Sequence, residues 1–181
     1  MPLIKDDQLI EDTWVSVING DALPLEQCII VDLERWQAAR QELVARNGRL
    51  GIRLKNDQPP ALIAEDLAHF DLIALEFPVF KDGRAFSHAR LLRERHGFGG
   101  ELRAVGQVLR DQLVFMRRCG FDSLEVADEK VLDAWHDAKR EISVFYQPAT
   151  DRRPWVANLR HGRKLPKTPA HEETGADHWA Y

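Results

Sequence analysis

Leu72-Ile-Ala-Leu-Glu-Phe-Pro78 is followed by Lys81-Asp-Gly-Arg-Ala-Phe-Ser-His-Ala-Arg-Leu-Leu-Arg93 and by Glu101-Leu-Arg-Ala-Val-Gly-Gln107. Val108-Leu-Arg-Asp-Gln-Leu-Val-Phe-Met-Arg-Arg-Cys-Gly120 and Ser123-Leu-Glu-Val126 complete the stretch. Apolar runs of strand length alternate with runs of helical period, and polar residues cluster where one gives way to the other. In a parallel α/β layout those junctions share one edge of the sheet, where such folds place their ligands.

The same alternation extends outward. Trp14 to Ile18 is a possible strand, either an edge or a loose arm, followed by a turn at Asn19-Gly20-Asp21. Cys28-Ile-Ile-Val31 has a buried-strand pattern, and Asp32 stands where an N-cap belongs. A helix over residues 33–46 follows, with Trp36, Ala39 or Arg40, and Leu43 on one face, and Asn47-Gly48 offers a left-handed stop. Leu50 to Leu54 is the next strand, Lys55 to Pro60 is a polar loop whose prolines favour the first turn of a helix, and Ala61 to His69 forms that helix. Leu72 to Phe77 and Leu102 to Val105 are strands, each leading to a helix: Phe86 to His96, and Val108 to Cys119 with Leu109, Gln112, Leu113 and Met116 on one face. Ser123 to Val126 is the last strand, before a helix carrying Val131, Leu132, Trp135, Ala138 and Ile142.

About five strand–helix units with short connections predict a compact, mostly parallel α/β sheet, either flavodoxin-like or a partial barrel. A complete eight-unit barrel needs about 250 residues, and this chain has 181. The predicted organisation is an α/β domain over residues 1–147, its units starting near residue 10, and a tail over 148–181. The tail is basic in its first half (Arg152, Arg153, Arg160, Arg163, Lys164, Lys167) and shows no helix or strand period. Trp155 and Trp179 suggest that it docks on the same chain or a neighbour.

Composition bounds the function. The chain is 44% apolar and 30% charged, as in ordinary globular proteins, with a formal net charge of -4. That balance argues against a general nucleic-acid or membrane-surface binder, while leaving room for a local basic patch. No apolar run reaches the roughly 20 residues of a membrane span. The N-terminus lacks a signal-peptide pattern, and Cys28 and Cys119 are too few for a disulfide framework, so the expected location is the cytoplasm.

Two junctions carry candidate chemistry. Asp82-Gly83-Arg84 precedes a helix with Ser87 in its first turn. Free amides at a helix start, a glycine admitting close approach and an arginine fork suit a small anion such as phosphate, sulfate or sulfite. The alternative is a tight turn in which Asp82 caps the helix and Arg84 is solvated. Gly106-Gln107, with Arg110 and Asp111 following, is a second junction of this kind; its alternative is a turn glycine and an acidic residue placed for the helix dipole. If both face one crevice, Arg84, Gln107 and Arg110 converge with Asp82. Arg90, Arg93, Arg117 and Arg118 form either an ion-paired face or a docking patch for an acidic partner. Cys119 reads as a small core residue. His88 is the histidine nearest the proposed crevice. No metal-ligand spacing, dinucleotide fingerprint, P-loop or nucleophile elbow is present, so the cofactor is unknown and no catalytic residue is identified.

Asp82-Gly-Arg84, Phe86-Ser87, Ala89-Arg-Leu-Leu-Arg93, Glu101-Leu-Arg-Ala-Val-Gly106, Val108-Leu-Arg-Asp-Gln-Leu113 and Arg118-Cys-Gly-Phe-Asp122 resemble the bacterial family called domain of unknown function 934. Leu54-Lys-Asn-Asp57 and Phe145-Tyr-Gln147 share the likeness, and the tail does not. Ala85 and Gln107 depart from the glycine and aspartate of many members, which counts against a role needing charge at position 107. The resemblance implies a place beside assimilatory sulfite reductase and the reductase of adenylyl sulfate, often under an oxidoreductase label, and carries no catalytic residue. The expected functions are an accessory protein of sulfate assimilation binding an oxyanion or phosphorylated metabolite at the strand exits, a module docking on sulfite reductase or its electron donor, or an oxidoreductase of unidentified cofactor.

Overall fold

The computed structural model describes residues 2–17, 23–24, 27–79, 81–126, 132–133, 135–137, 145–150 and 155–161. Eight strands form one sheet: β1 Leu3–Lys5, β2 Gln8–Ile10, β3 Val15–Val17, β4 Ile29–Asp32, β5 Leu50–Leu54, β6 Leu72–Phe77, β7 Glu101–Gly106 and β8 Ser123–Glu125. Their order is β2-β1-β8-β7-β6-β5-β4-β3. β3 to β8 are parallel and lie in chain order, and β1 joins β8 antiparallel. Among the described strands the order from β3 to β8 does not reverse, so they form no switch point of the flavodoxin-like kind. The sheet is a curled half-barrel.

Chain length shows why it must curl. β2 and β3 are the two outer edges, yet Val15 follows Ile10 by only five residues. Five residues span at most about 18 Å. Eight flat strands would hold their edges about 34 Å apart. The sheet bends until Glu11–Trp14 can strap one edge to the other.

One face is covered by helices: α1 Leu33–Val44, an i→i+3 wound segment Pro60–His69, α2 Arg84–Arg90 continuing as a wider π turn through Arg95, and α3 Leu113–Arg118. Asp32 caps α1 by accepting from the Arg35 amide at 2.7 Å. Trp36, Leu43, Ile63, Ala89, Leu92, Leu113 and Met116 pack there against Val31, Ile52, Ile73, Leu75 and Leu102. The apolar cluster on the other face is Ile30, Leu72, Ala74 and Val105, with Trp14 of the strap laid over them. Gly51 makes room for Trp14: a Cβ at Gly51 would lie 3.2 Å from its ring carbon Cζ3.

Several expectations change. Before Trp14 the sequence predicts no strand, but β1 and β2 form a hairpin whose turn residues, Asp6 and Asp7, have φ of 51° and 64°. That is the backbone of a two-residue hairpin turn, which aspartate tolerates. Asp7 also accepts from Trp135 Nε1 at 2.6 Å and Arg117 Nη1 at 3.1 Å, locking the hairpin down. Gly48 is not a left-handed stop; α1 ends at Val44, and a Cβ at Gly48 would meet the Gln27 carbonyl at 2.6 Å. Leu109 is 41% exposed and outside the buried helical face, because residues 110–112 wind more tightly before α3 begins. A six-residue helix, α4 Val156–His161, stands where the sequence predicts no regular element. Its start is anchored by a bridge between Phe145 and Trp155. The Asn19–Asp21 turn, Val131, Ala138, Ile142, Arg152, Arg153 and residues 162–181 lie outside the described residues.

Candidate functional site

β6 and β7 are adjacent and parallel, and their last residues, Phe77 and Gly106, are paired. Gly106 has φ of 95°, a left-handed backbone that L side chains rarely adopt. A Cβ there would lie 2.6 Å from the Phe77 carbonyl oxygen, which instead accepts from the Gln107 amide at 2.8 Å. Both predicted junctions therefore leave the same rim from neighbouring strands.

Asp82 is the centre of the first junction. Its carboxylate accepts from the Arg84 amide at 3.2 Å and from Arg84 Nη2 at 2.6 Å and Nε at 3.0 Å. Asn56, just after β5, donates its side-chain amide to the same carboxylate. Three consecutive strand exits thus contribute to one rim. The Arg84 guanidinium and amide, with Asn56 adding to them, hold the Asp82 carboxyl down to about 2 despite partial desolvation. Arg84 keeps 56% of its side chain exposed, though its charge is offset by Asp82. His88 lies one turn further on. Burial, then Arg84, lowers its pKa from the ordinary value, favouring the neutral ring, and its buried Nδ1 meets no hydrogen-bond partner among the described residues.

The predicted residues separate into groups. Asp82, Arg84, Gly106 and Gln107 share the rim, with Ser87 exposed in the first turn of α2. Gly83 stands at the N-cap without a left-handed φ, and a Cβ there would approach only Phe86, at 3.8 Å. The Arg110 side chain lies outside the described residues. Asn56 was not singled out by sequence reasoning, although its position directly after a strand was the available signal.

The arginines expected as a face are mostly staples. Arg93 donates to the carbonyls of Phe98 (2.6 Å), Gly100 (2.8 Å) and Gly120 (3.0 Å) and pairs with Asp122. Arg117 reaches Asp7, and Arg118 donates to the Gln147 carbonyl at 2.6 Å and covers the Phe145 ring at 3.9 Å. Arg90 pairs with Glu94 on the exposed face of α2. Cys119 packs half-buried against the core.

A second charged cluster, absent from the sequence reading, occupies the sheet face that none of the described helices covers. Arg103 is 3% exposed and donates to Glu101 (3.0 Å) and to Asp12 of the strap (2.8 Å). Glu101 also accepts from Lys5 Nζ and Ser123 Oγ, both at 2.6 Å. Burial opposes ionisation of Glu101, but Lys5, Ser123 and Arg103 outweigh it and hold its pKa below the ordinary value. A cavity of about 100 Å³ bordered by Ile4, Lys5, Arg117, Asp122, Leu124 and Trp135 includes Arg117 of the predicted arginine face and none of the predicted rim residues.

Among the described residues no group of three His, Cys, Asp or Glu could hold a metal ion, and no helix is long and apolar enough to cross a membrane. Comparison with curated proteins finds no match. Residues 51–156, more than half of the chain, match the family model described as bacterial protein of unknown function (DUF934), and the chain belongs to that family.

Proposed function

We propose that this protein is an accessory protein of sulfate assimilation that binds a small oxyanion or a phosphorylated metabolite at the rim of β5, β6 and β7. The observation that carries the reading is the Phe77–Gly106 pairing, which brings Asp82, Arg84 and Gln107 to one edge together with Asn56. Asp82 fixes one side of the Arg84 fork and leaves its outer surface to a ligand. Because Asp82 offsets the charge of Arg84, the rim suits a ligand with donors and acceptors beside its anionic group better than a bare dianion. Adenylyl sulfate is therefore expected to bind more tightly than sulfate or sulfite in calorimetry. Arg84→Ala should weaken it at least about tenfold, the loss of a charge-assisted hydrogen bond. Binding that Arg84→Ala leaves unchanged would remove the rim from consideration.

A second reading, a module that docks on sulfite reductase, is favoured by one feature. Phe115 on α3, Tyr146 and Leu159 are 54%, 79% and 54% exposed, and Arg118 ties α3 to the segment that carries Tyr146. Co-purification of sulfite reductase with the full chain, but not with a chain lacking residues 148–181, would favour this reading.

A further inference from the structure

Arg53, Ala74 and Arg103 lie side by side on β5, β6 and β7, in one row of the face that none of the described helices covers. Two strand spacings put the arginine backbones about 10 Å apart, within reach of two long side chains converging on one group. Ala74 between them contributes only a methyl. Each guanidinium holds a carboxylate of the chain's own: Arg53 faces Glu76 at 3.4 Å, and Arg103 holds Glu101 and Asp12. Glu76 and Glu101 are fixed in strands. Asp12 differs, because it belongs to the irregular strap and reaches Arg103 through one 2.8 Å contact, from Nη1.

The charges decide what could replace it. Asp32, the β4 member of this row, is engaged by the Arg35 amide at the start of α1. Among the remaining groups Arg53, Arg103 and Lys5 balance Glu76, Glu101 and Asp12, so withdrawing Asp12 leaves one uncompensated positive charge around a nearly buried guanidinium. Such a charge is strongly unfavourable without a partner. A ligand with a single negative charge restores the balance, and a dianion overshoots it. We propose that Arg53 and Arg103 form a site for a small monocarboxylate across Ala74, that Asp12 occupies its Arg103 side as a tethered stand-in, and that Trp14 holds the strap over it. This site is separate from the rim around Asp82, and its test does not depend on the rim reading.

The test compares full-length wild type with Asp12→Ala, titrated with sodium formate against sodium chloride at equal ionic strength, following thermal midpoint and tryptophan fluorescence. Asp12→Ala should melt lower than wild type, and formate, not chloride, should raise its midpoint by mass action. Formate should bind the variant at least about tenfold more tightly than wild type, where a tethered carboxylate competes at an effective concentration of order millimolar. Adding Arg53→Ala, an exposed position, should weaken formate again. Where Asp12→Ala does not fold, Trp14→Ala supplies the reading, since a looser strap should raise formate affinity above that of wild type. Equal responses to formate and chloride in Asp12→Ala, formate affinity indifferent to Arg53→Ala, or unaltered affinity in Trp14→Ala would each overturn the proposal.

Discussion

The row Val31, Ile52, Ile73 and Leu102 runs across β4 to β7 on the helix-covered face, every member nearly inaccessible. One residue further along, the opposite face carries Arg53, Ala74, Arg103, Ser123 and Lys5. The first row needs only bulk, because apolar contact is non-directional and many side chains of similar volume satisfy it. The second works only with named partners at set distances, and one of them, Asp12, comes from a strap 91 residues away in sequence. The sheet is thus a robust layer on one side and a conditional one on the other, and the conditional side is where binding can be exchanged for self-contact.

A buried substitution on each face gives the largest effects, and the two should differ in kind. Phe77 is 1% exposed, with Phe86 and Phe121 at ring distances of 5.0 and 5.8 Å. Phe77→Ala should cost about 3–5 kcal/mol in urea unfolding through lost contact and a cavity. Arg103→Met should cost a similar ~3–5 kcal/mol, because Asp12 loses its guanidinium partner and the nearly buried Glu101 keeps only Lys5 and Ser123. The two costs separate in the combined variant. Adding Glu101→Gln and Asp12→Asn to Arg103→Met should recover most of the loss, whereas no neutralisation elsewhere recovers Phe77→Ala. Failure of that recovery would mean that the second face, too, is held by packing.

This contrast also explains what could be read from sequence. Leu50–Leu54, Leu72–Phe77 and Leu102–Val105 read as strands because buried parallel strands are short apolar runs between turn residues, and the helix face declares itself by period. The strap did not, since Glu11-Asp-Thr-Trp14 has no period and its partners, Arg103 and Gly51, are distant in the chain. The β1–β2 hairpin was hidden behind Asp6-Asp7, a weaker turn signal than Asn-Gly. At the rim, Gly106 was legible from its place at a strand exit. The bond from Asn56 to Asp82 was not, because it joins two loops 26 residues apart.

Gly51→Ala probes the seam between the faces at a smaller scale. The added methyl would lie 3.2 Å from Trp14, Ile30 and Leu72. The side chains from neighbouring strands have little room to retreat, so the strap should give way at about 1–3 kcal/mol, the usual cost of overpacking. Near-ultraviolet circular dichroism should report a changed Trp14 environment while far-ultraviolet signal stays native. A full-strength loss of secondary structure instead would show that the strap and the sheet form one inseparable unit.

The smallest effect belongs to the rim and is visible only in its pH dependence. Asp82 titrates near 3.8 when unfolded and near 2 when folded, because Arg84 and Asn56 favour its ionised form. A group whose folded pKa is depressed adds stability that is complete above its unfolded pKa and is lost as pH falls toward the folded one. Asp82→Asn abolishes that contribution, while the carboxylates of Asp66 and Glu101, also held below their ordinary values, remain in both proteins. The difference in urea midpoint between wild type and Asp82→Asn should therefore be constant above about pH 5 and shrink between about pH 4 and 2. Because Asp82 and Arg84 are accessible, added salt should also narrow the difference, which it would not do for the enclosed Arg103 cluster. Parallel curves across the acid range would show that the Asp82–Arg84 pair is not maintained in solution, leaving Arg84 a free cation and the rim a stronger site for bare anions than proposed.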